Sequence, residues 1–285
     1  MIFNEENTVE DYIKDLLESK HKWKYVNQKE LKRQENDVLV EGSVRDALIR
    51  LNPEIKENPD LVEEVLYKLR AIIISVKGTG LVKTNEEFLK WIKNSKTMPF
   101  GENGEHTTIN LIDFNDVDNN EFIITTQYSY VNKRPDLVLL VNGLPLIVGE
   151  AKTPIRPSIT WVDGAKDITA YQEVIPQLFV PNLFCFSTEG KEFRVGSIGL
   201  PIEKWQPWKK TNRDEFEILK EVEIAIDLLF SKKVILDLLK NFTLYGTNDN
   251  GRKIKIMCRY QQYEATNQIV KRVIDGRIKK GLIWH

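Results

Sequence analysis

Residues 134–154 read RPDLVLLVNGLPLIVGEAKTP, and the fold turns on this stretch. Two apolar runs, 137–141 and 146–150, flank Asn142-Gly143. Asn-Gly between hydrophobic runs signals a two-residue hairpin, because both residues tolerate positive φ. Strand side chains alternate with period two, so Glu150 and Lys152 project from one face. A hairpin closed at Asn142-Gly143 folds Asp136 back toward the far end of the second strand. Two carboxylates and an ammonium then meet, and the expected place for them is a sheet edge. Opposed carboxylates repel, which a divalent cation between them would relieve. Mg²⁺ suits such a place, since it takes one or two carboxylates plus waters and substrate phosphates. A lysine beside it can stabilise charge on phosphate or help activate an attacking water. The plainer alternative is ordinary exposed charge at strand ends.

Working outward, periodicity predicts strands over 122–130, 137–141, 146–150, 183–187 and 192–198, with a helix over 163–174. This βββαββ order after a leading helix implies an α/β chain of the α+β type, a mixed sheet with flanking helices. The leading helix is expected over 8–17, capped by Thr8, with Glu10 and Asp11 in its first turn. Helical spacing recurs over 43–51, 60–73 and 84–94, with breaks at Asn52-Pro53 and Asn58-Pro59. Residues 201–213 are rich in Trp, Pro and Lys and read as a loop, followed by helices over 215–230, 232–239 and 259–275. A final strand is expected to start at 281–285.

Apolar residues make up 41% of the 285 and charged residues 29%, with formal net charge −1, so the chain is not globally basic. Nucleic-acid binding must therefore rest on local patches. Residues 101–124 carry six acids and no Lys or Arg, whereas 251–285 carry nine Lys or Arg against Glu264 and Asp275. A solvated face accounts for either run equally well, and Gly101, Asn103 and Gly104 favour an exposed acidic turn. Cys185 and Cys258 form neither a disulfide framework nor a zinc set, which fits a reducing, cytoplasmic setting. The amino terminus lacks a signal-peptide core, and no run of about 18 apolar residues exists to span a membrane. His21, His106 and His285 are scattered without partners for a triad or a metal.

The pattern Pro135-Asp136 followed by Glu150-x-Lys152 resembles that of the PD-(D/E)xK nucleases. Residues 134–154 as a whole resemble the N-terminal nuclease domain of type I restriction enzyme R subunits (the HsdR family). So do Leu111-Ile112-Asp113-Phe114, Asn119-Asn120-Glu121-Phe122, Ile175-Pro176-Gln177-Leu178-Phe179 and Gly281-Leu282-Ile283-Trp284-His285. The likeness runs from near residue 6 to the last residue. It implies a restriction-endonuclease-like core over 1–200, helical at the front over 1–100 and with the mixed sheet in 121–200. A linker with helices would follow over 201–257, and a superfamily 2 motor would begin at 258–285. No G-x-x-x-x-G-K-[ST] phosphate loop occurs, so the motor's ATP site is absent and the chain reads as the amino-terminal portion of a longer protein.

The resemblance implies a Mg²⁺-dependent DNA endonuclease, a type I site-specific deoxyribonuclease. Asp136, Glu150 and the Ala151 carbonyl would hold the metal, and Lys152 would act on water and phosphate. In that setting double-stranded DNA is delivered by ATP-driven translocation, alongside methyltransferase and specificity subunits. Glu10 is the candidate for the acid that the leading helix contributes, with dipole complementation as its other explanation and Asp11 as a neighbouring alternative. Lys133 and Arg134 could contact phosphates, or simply begin a charged strand. On the helix after the ExK strand the family often carries Gln-x-x-x-Tyr; here Tyr171 fits the Tyr place but Asp167 stands in the Gln place. An ionised Asp167 could reach the same face but cannot donate a hydrogen bond. Gln261 and Gln262 resemble the adenine-contacting segment before such motors, with surface amides at a helix start as the alternative. Two other functions stay open on sequence alone: a nuclease-like docking module that does not cut, and a stand-alone nuclease of the same fold.

Overall fold

The computed structural model describes residues 9–156, 158–209, 218–277 and 280–282. Thr8, residues 215–217 and most of the expected 281–285 strand lie outside them. The elements in chain order are α1 (Val9–His21), β1 (Lys24–Tyr25), α2 (Glu41–Leu51), α3 (Pro53–Glu57), α4 (Leu61–Thr79) and α5 (Leu81–Ile92). Then come β2 (Thr97–Met98), β3 (Thr107–Thr108), β4 (Phe122–Thr126), β5 (Leu137–Val141), β6 (Leu144–Ala151) and α6 (Trp161–Val174). The chain continues with β7 (Phe184–Thr188), β8 (Phe193–Gly196), α7 (Lys220–Leu229), α8 (Lys232–Asn241), β9 (Thr243–Thr247), β10 (Lys253–Met257) and α9 (Tyr260–Asp275).

Six strands form one mixed sheet in the order β1-β4-β5-β6-β7-β8. β6 and β7 run parallel, joined by a crossover through α6, while β4, β5 and β6 are successive antiparallel neighbours. All five residues of β5 and the first seven of β6 are buried, as expected of strands covered on both faces. One face carries α6. The other carries Phe186, stacked on Phe193 at 5.0 Å and edge-on to Phe230 at the end of α7. α6 starts where Thr160 and Asp163 exchange capping hydrogen bonds, and it stops short of Pro176.

The hairpin at Asn142-Gly143 forms as expected, with φ of 49° and 79° and Val141 paired to Leu144. Its turn is buried. Asn142 Nδ2 donates to the Leu111 carbonyl and to Asn120 Oδ1, each at 2.9 Å, tying down the acidic 111–121 segment. A side chain on Gly143 would sit 2.5 Å from the Val40 carbonyl, so the turn also needs glycine for space. Pro145, which has no N–H to give, is accommodated by a bulge that leaves Leu146 outside the ladder.

Several expectations need correcting. The first long strand ends at Thr126 rather than 130, because Gln127 takes φ 55°. Residues 24–25, within the helical front segment, add an edge strand parallel to β4. Residues 243–257 form an antiparallel hairpin rather than linker and helix alone. The carboxylate pair also lies at one end of two central strands, not at a sheet edge.

Candidate functional site

The register pairs Leu137 with Gly149, so the next step outward sets Asp136 against Glu150. The Asp136 N–H donates to Glu150 Oε1 at 3.3 Å, and the Ala151 N–H donates to Asp136 Oδ2 at 3.0 Å. Glu150 is only 2% exposed. Burial first, and then the charge of Asp136, push its pKa up to about 8, with Lys152 opposing. Lys152 Nζ lies 2.9 Å from Glu150 Oε2 and 2.6 Å from Asp167 Oδ2. Burial disfavours the ammonium, but Asp167 and Glu150 outweigh it and raise the Lys152 pKa. Lys152 therefore stands as a cation at neutral pH.

Helix α6 reaches this point because Gly164 has no side chain. A Cβ there would lie 2.3 Å from Ser187 Oγ and 3.0 Å from Glu150 Cβ. The close approach carries Asp167, one turn on, onto Lys152. Tyr171, a further turn on, is half-buried on the same side. Burial and the charges of Glu150, Asp167 and Asp136 raise its phenol pKa. Asp167 thus faces the site from the family's Gln place, as a partner for Lys152.

Helix α1 contributes Glu10 and not Asp11, which pairs with Lys14 at 3.0 Å. Burial, with smaller contributions from Asp136 and Asp11, raises the Glu10 pKa to about 7 against the hydrogen bond from Gln127. Gln127 joins the two acids. Its side-chain amide donates to Glu10 Oε2 at 2.6 Å and to Asp136 Oδ1 at 3.2 Å, and its main-chain N–H donates to the Asp136 carbonyl at 2.8 Å. The left-handed backbone at Gln127 costs about 1–2 kcal/mol in a residue with a side chain. Tyr128 helps hold it: fully buried, stacked under Arg33 at 3.7 Å, its hydroxyl donates to the Val38 carbonyl. Sequence patterns give no sign of Gln127, since the run around it is as compatible with a strand as its neighbours are.

Lys133 closes a tight turn with Tyr130, and Arg134 beside it is exposed; among the described residues neither is in an ion pair. Gln261 and Gln262 are exposed in the first turn of α9, where Gln262 Oε1 accepts from the Arg259 N–H at 2.9 Å. Among the described residues, no three His, Cys, Asp or Glu side chains converge as a closed metal cage. What the site offers a cation is the two hard carboxylates of Asp136 and Glu150. That donor set fits Mg²⁺, which keeps several waters and seldom uses an all-protein cage. The repulsion between half-buried Asp136 and buried Glu150 is the electrostatic deficit that such a cation would fill. No helix among the described residues is long and apolar enough to cross a membrane.

Residues 2–199 match the family described as Type I restriction enzyme R protein N terminus. The chain is 28% identical over 260 residues to the Type I restriction enzyme HindI endonuclease subunit of Haemophilus influenzae, covering 85% of this chain and 24% of that one. It is 27% identical over 281 residues to the putative type I restriction enzyme MjaIXP endonuclease subunit of Methanocaldococcus jannaschii, with 85% and 26% covered. The putative MjaVIIIP endonuclease subunit of the same organism is 31% identical over 212 residues, with 70% and 20% covered. The chain spans about a quarter of the length of these relatives or less. With more than half of its length matched by the family, this chain belongs to the type I restriction enzyme R protein N-terminal family.

Proposed function

We propose that this chain is the Mg²⁺-dependent nuclease portion of a type I restriction enzyme R subunit and hydrolyses DNA phosphodiester bonds. One observation carries the reading: the hairpin sets Asp136 against buried Glu150, with the Lys152 ammonium 2.9 Å from that carboxylate. Asp136, Glu150 and the Ala151 carbonyl would hold the ion. When bound, the ion would lend positive charge to the scissile phosphate. Lys152 is held as an ammonium by Glu150 and Asp167, so it serves as a donor to a phosphoryl oxygen or an incoming water rather than as a base. Tyr171 lies beside it on α6. Lys133 and Arg134, on the turn before Asp136, would contact the phosphate backbone of double-stranded DNA. Further proposals follow from the resemblance to type I restriction enzyme R subunits, with the relatives' greater length leaving room for them. An ATP-driven motor would lie beyond this chain, Gln261 and Gln262 would stand at its approach, and methyltransferase and specificity subunits would complete the complex.

Calorimetric titration with Mn²⁺ tests the site. The native chain is expected to bind, and Asp136→Ala to abolish binding. Equal heats from the two would remove the metal assignment and favour a docking module that does not cut.

A further inference from the structure

The acids that face each other come from two separate elements, α1 and the start of β5, and Gln127 touches both. Its amide nitrogen has two protons to give. One goes to Glu10 Oε2 at 2.6 Å and the other to Asp136 Oδ1 at 3.2 Å. The remaining Asp136 oxygen, Oδ2, accepts from the Ala151 N–H at 3.0 Å. Both oxygens of this carboxylate are therefore aimed by fixed donors, one from β6 and one from Gln127. The main-chain N–H of Gln127 adds a third tie, to the Asp136 carbonyl at 2.8 Å.

The backbone shows what this arrangement requires. β4 runs regularly through Thr126, and Gln127 then turns to φ 55°. A non-glycine residue stays in that region only where its surroundings over-determine it. Here the turn swings the amide out of the strand's alternation and between two carboxylates. A neutral donor at that point bridges the two acids and offsets part of their repulsion. Thr126, just before it, shares a hydrogen bond with the Tyr25 hydroxyl at 3.2 Å, which ties the end of β4 to β1.

We infer that Gln127 is a positioning residue for the metal site: it aims the Asp136 carboxylate and fastens Glu10 of α1 beside it. This rests on the reading of Asp136 and Glu150 as a metal site. Hydrogen-bond partners that orient metal ligands are typically worth 10–100-fold in metal affinity or activity. Glu10 acts through this link, so its own effect depends on Gln127.

Substitution by glycine separates side chain from backbone, because glycine takes φ near +55° without strain. Gln127→Gly should weaken Mn²⁺ binding by about 10–100-fold in calorimetry, while the metal-free chain melts at or above the native temperature. Glu10→Gln should weaken binding in the native chain but add little in the Gln127→Gly background. Unchanged Mn²⁺ affinity in Gln127→Gly overturns this proposal alone. A loss of affinity accompanied by a lower metal-free Tm also overturns it, since Gln127 would then merely hold the fold. Absence of Mn²⁺ binding by the native chain would overturn the metal reading, and this inference with it. Should Gln127→Gly fail to fold, Gln127→Asn carries the test. Asparagine also tolerates a left-handed backbone but is one methylene shorter. Its affinity should fall, and native affinity would overturn the proposal.

Discussion

Two polar clusters sit at opposite ends of β6, and they are built on opposite principles. At the far end from Glu150, Asn85 Nδ2 donates to the carbonyls of Val180 and Asn182 at 2.8 and 2.9 Å, and its Oδ1 accepts from the Tyr245 hydroxyl. Asn182 Nδ2 donates to the Phe184 and Leu146 carbonyls at 2.9 and 3.3 Å. Lys255, almost wholly buried, gives its amine to the Asn182 carbonyl, and burial lowers its pKa to about 7. The amides of Asn85 and Asn182 meet carbonyl acceptors, and burial drives Lys255 toward its neutral form. At the Glu150 end, carboxylate faces carboxylate, and the pKa values of Glu10 and Glu150 are raised. A cluster whose hydrogen-bond inventory closes is there to hold the fold. One that brings acids together and raises their pKa values is a candidate ligand site.

The largest effect that could break this comparison belongs to Lys152. Lys152→Ala, in a subunit assembled to cut, should lower DNA cleavage by roughly 10²–10³, the usual loss for one electrostatic contact at a developing charge. ATP hydrolysis by the same assembly should be little changed, because the ammonium's partners in the fold are Glu150 and Asp167. Cleavage and ATPase assays run side by side check this. Native cutting by the variant would reduce Lys152 to a surface ion pair. Loss of both activities together would make it a residue that supports folding.

The saturated cluster should behave in the opposite way. Asn85→Ala leaves the Val180 carbonyl and the Tyr245 hydroxyl without their partner, at about 1–3 kcal/mol for each buried group left unmade. A loss of about 2–3 kcal/mol in denaturant unfolding is expected, with Mn²⁺ affinity unaltered. A shift in Mn²⁺ affinity would show that the two ends of β6 and β7 act as one unit.

The two ends also differ in how far they can be read from sequence. The hairpin is legible because its signals are local: alternation, an Asn-Gly turn and an uninterrupted apolar run. Asp136, Glu150 and Lys152 follow from that hairpin by counting residues. Gln127 is not legible, because its role depends on a left-handed backbone that Tyr128 and the Asp136 main chain impose from outside. The two-residue strand Lys24–Tyr25 is too short to carry any period. The β9–β10 hairpin has a signal in Asn250-Gly251, but Gly246 and the polar 247–250 run obscure the strands on either side. Asp167 can be placed on the right helix face by spacing alone. Its pairing with Lys152 depends on how closely α6 approaches, which Gly164 allows.

The smallest effect is a dependence of stability on pH. Glu150 has a pKa near 8 in the fold against an ordinary carboxylate value of 4.5 when unfolded, and Glu10 near 7. A raised carboxylate pKa means that the folded state binds more protons than the unfolded state across this window. The contribution to stability is fully present below about pH 4.5 and is lost as pH rises through 7 and 8. Between pH 6 and 7 Glu150 alone can lower stability by at most about 1.4 kcal/mol, a few °C in Tm for a chain of this size. Glu150→Gln, neutral at every pH, should flatten that slope in the metal-free protein. Mg²⁺ competes with the same protons, so the Tm gained on adding it should grow from pH 5 to pH 8. At the other end of the strands, Lys255, its pKa lowered to about 7, contributes a slope of opposite sign above pH 7, and Asn85→Ala should lower the curve mainly as a whole. A native slope that Glu150→Gln leaves intact would place the titrating groups elsewhere. The unrelieved charge at Glu150 would then no longer distinguish this end of the sheet from the other.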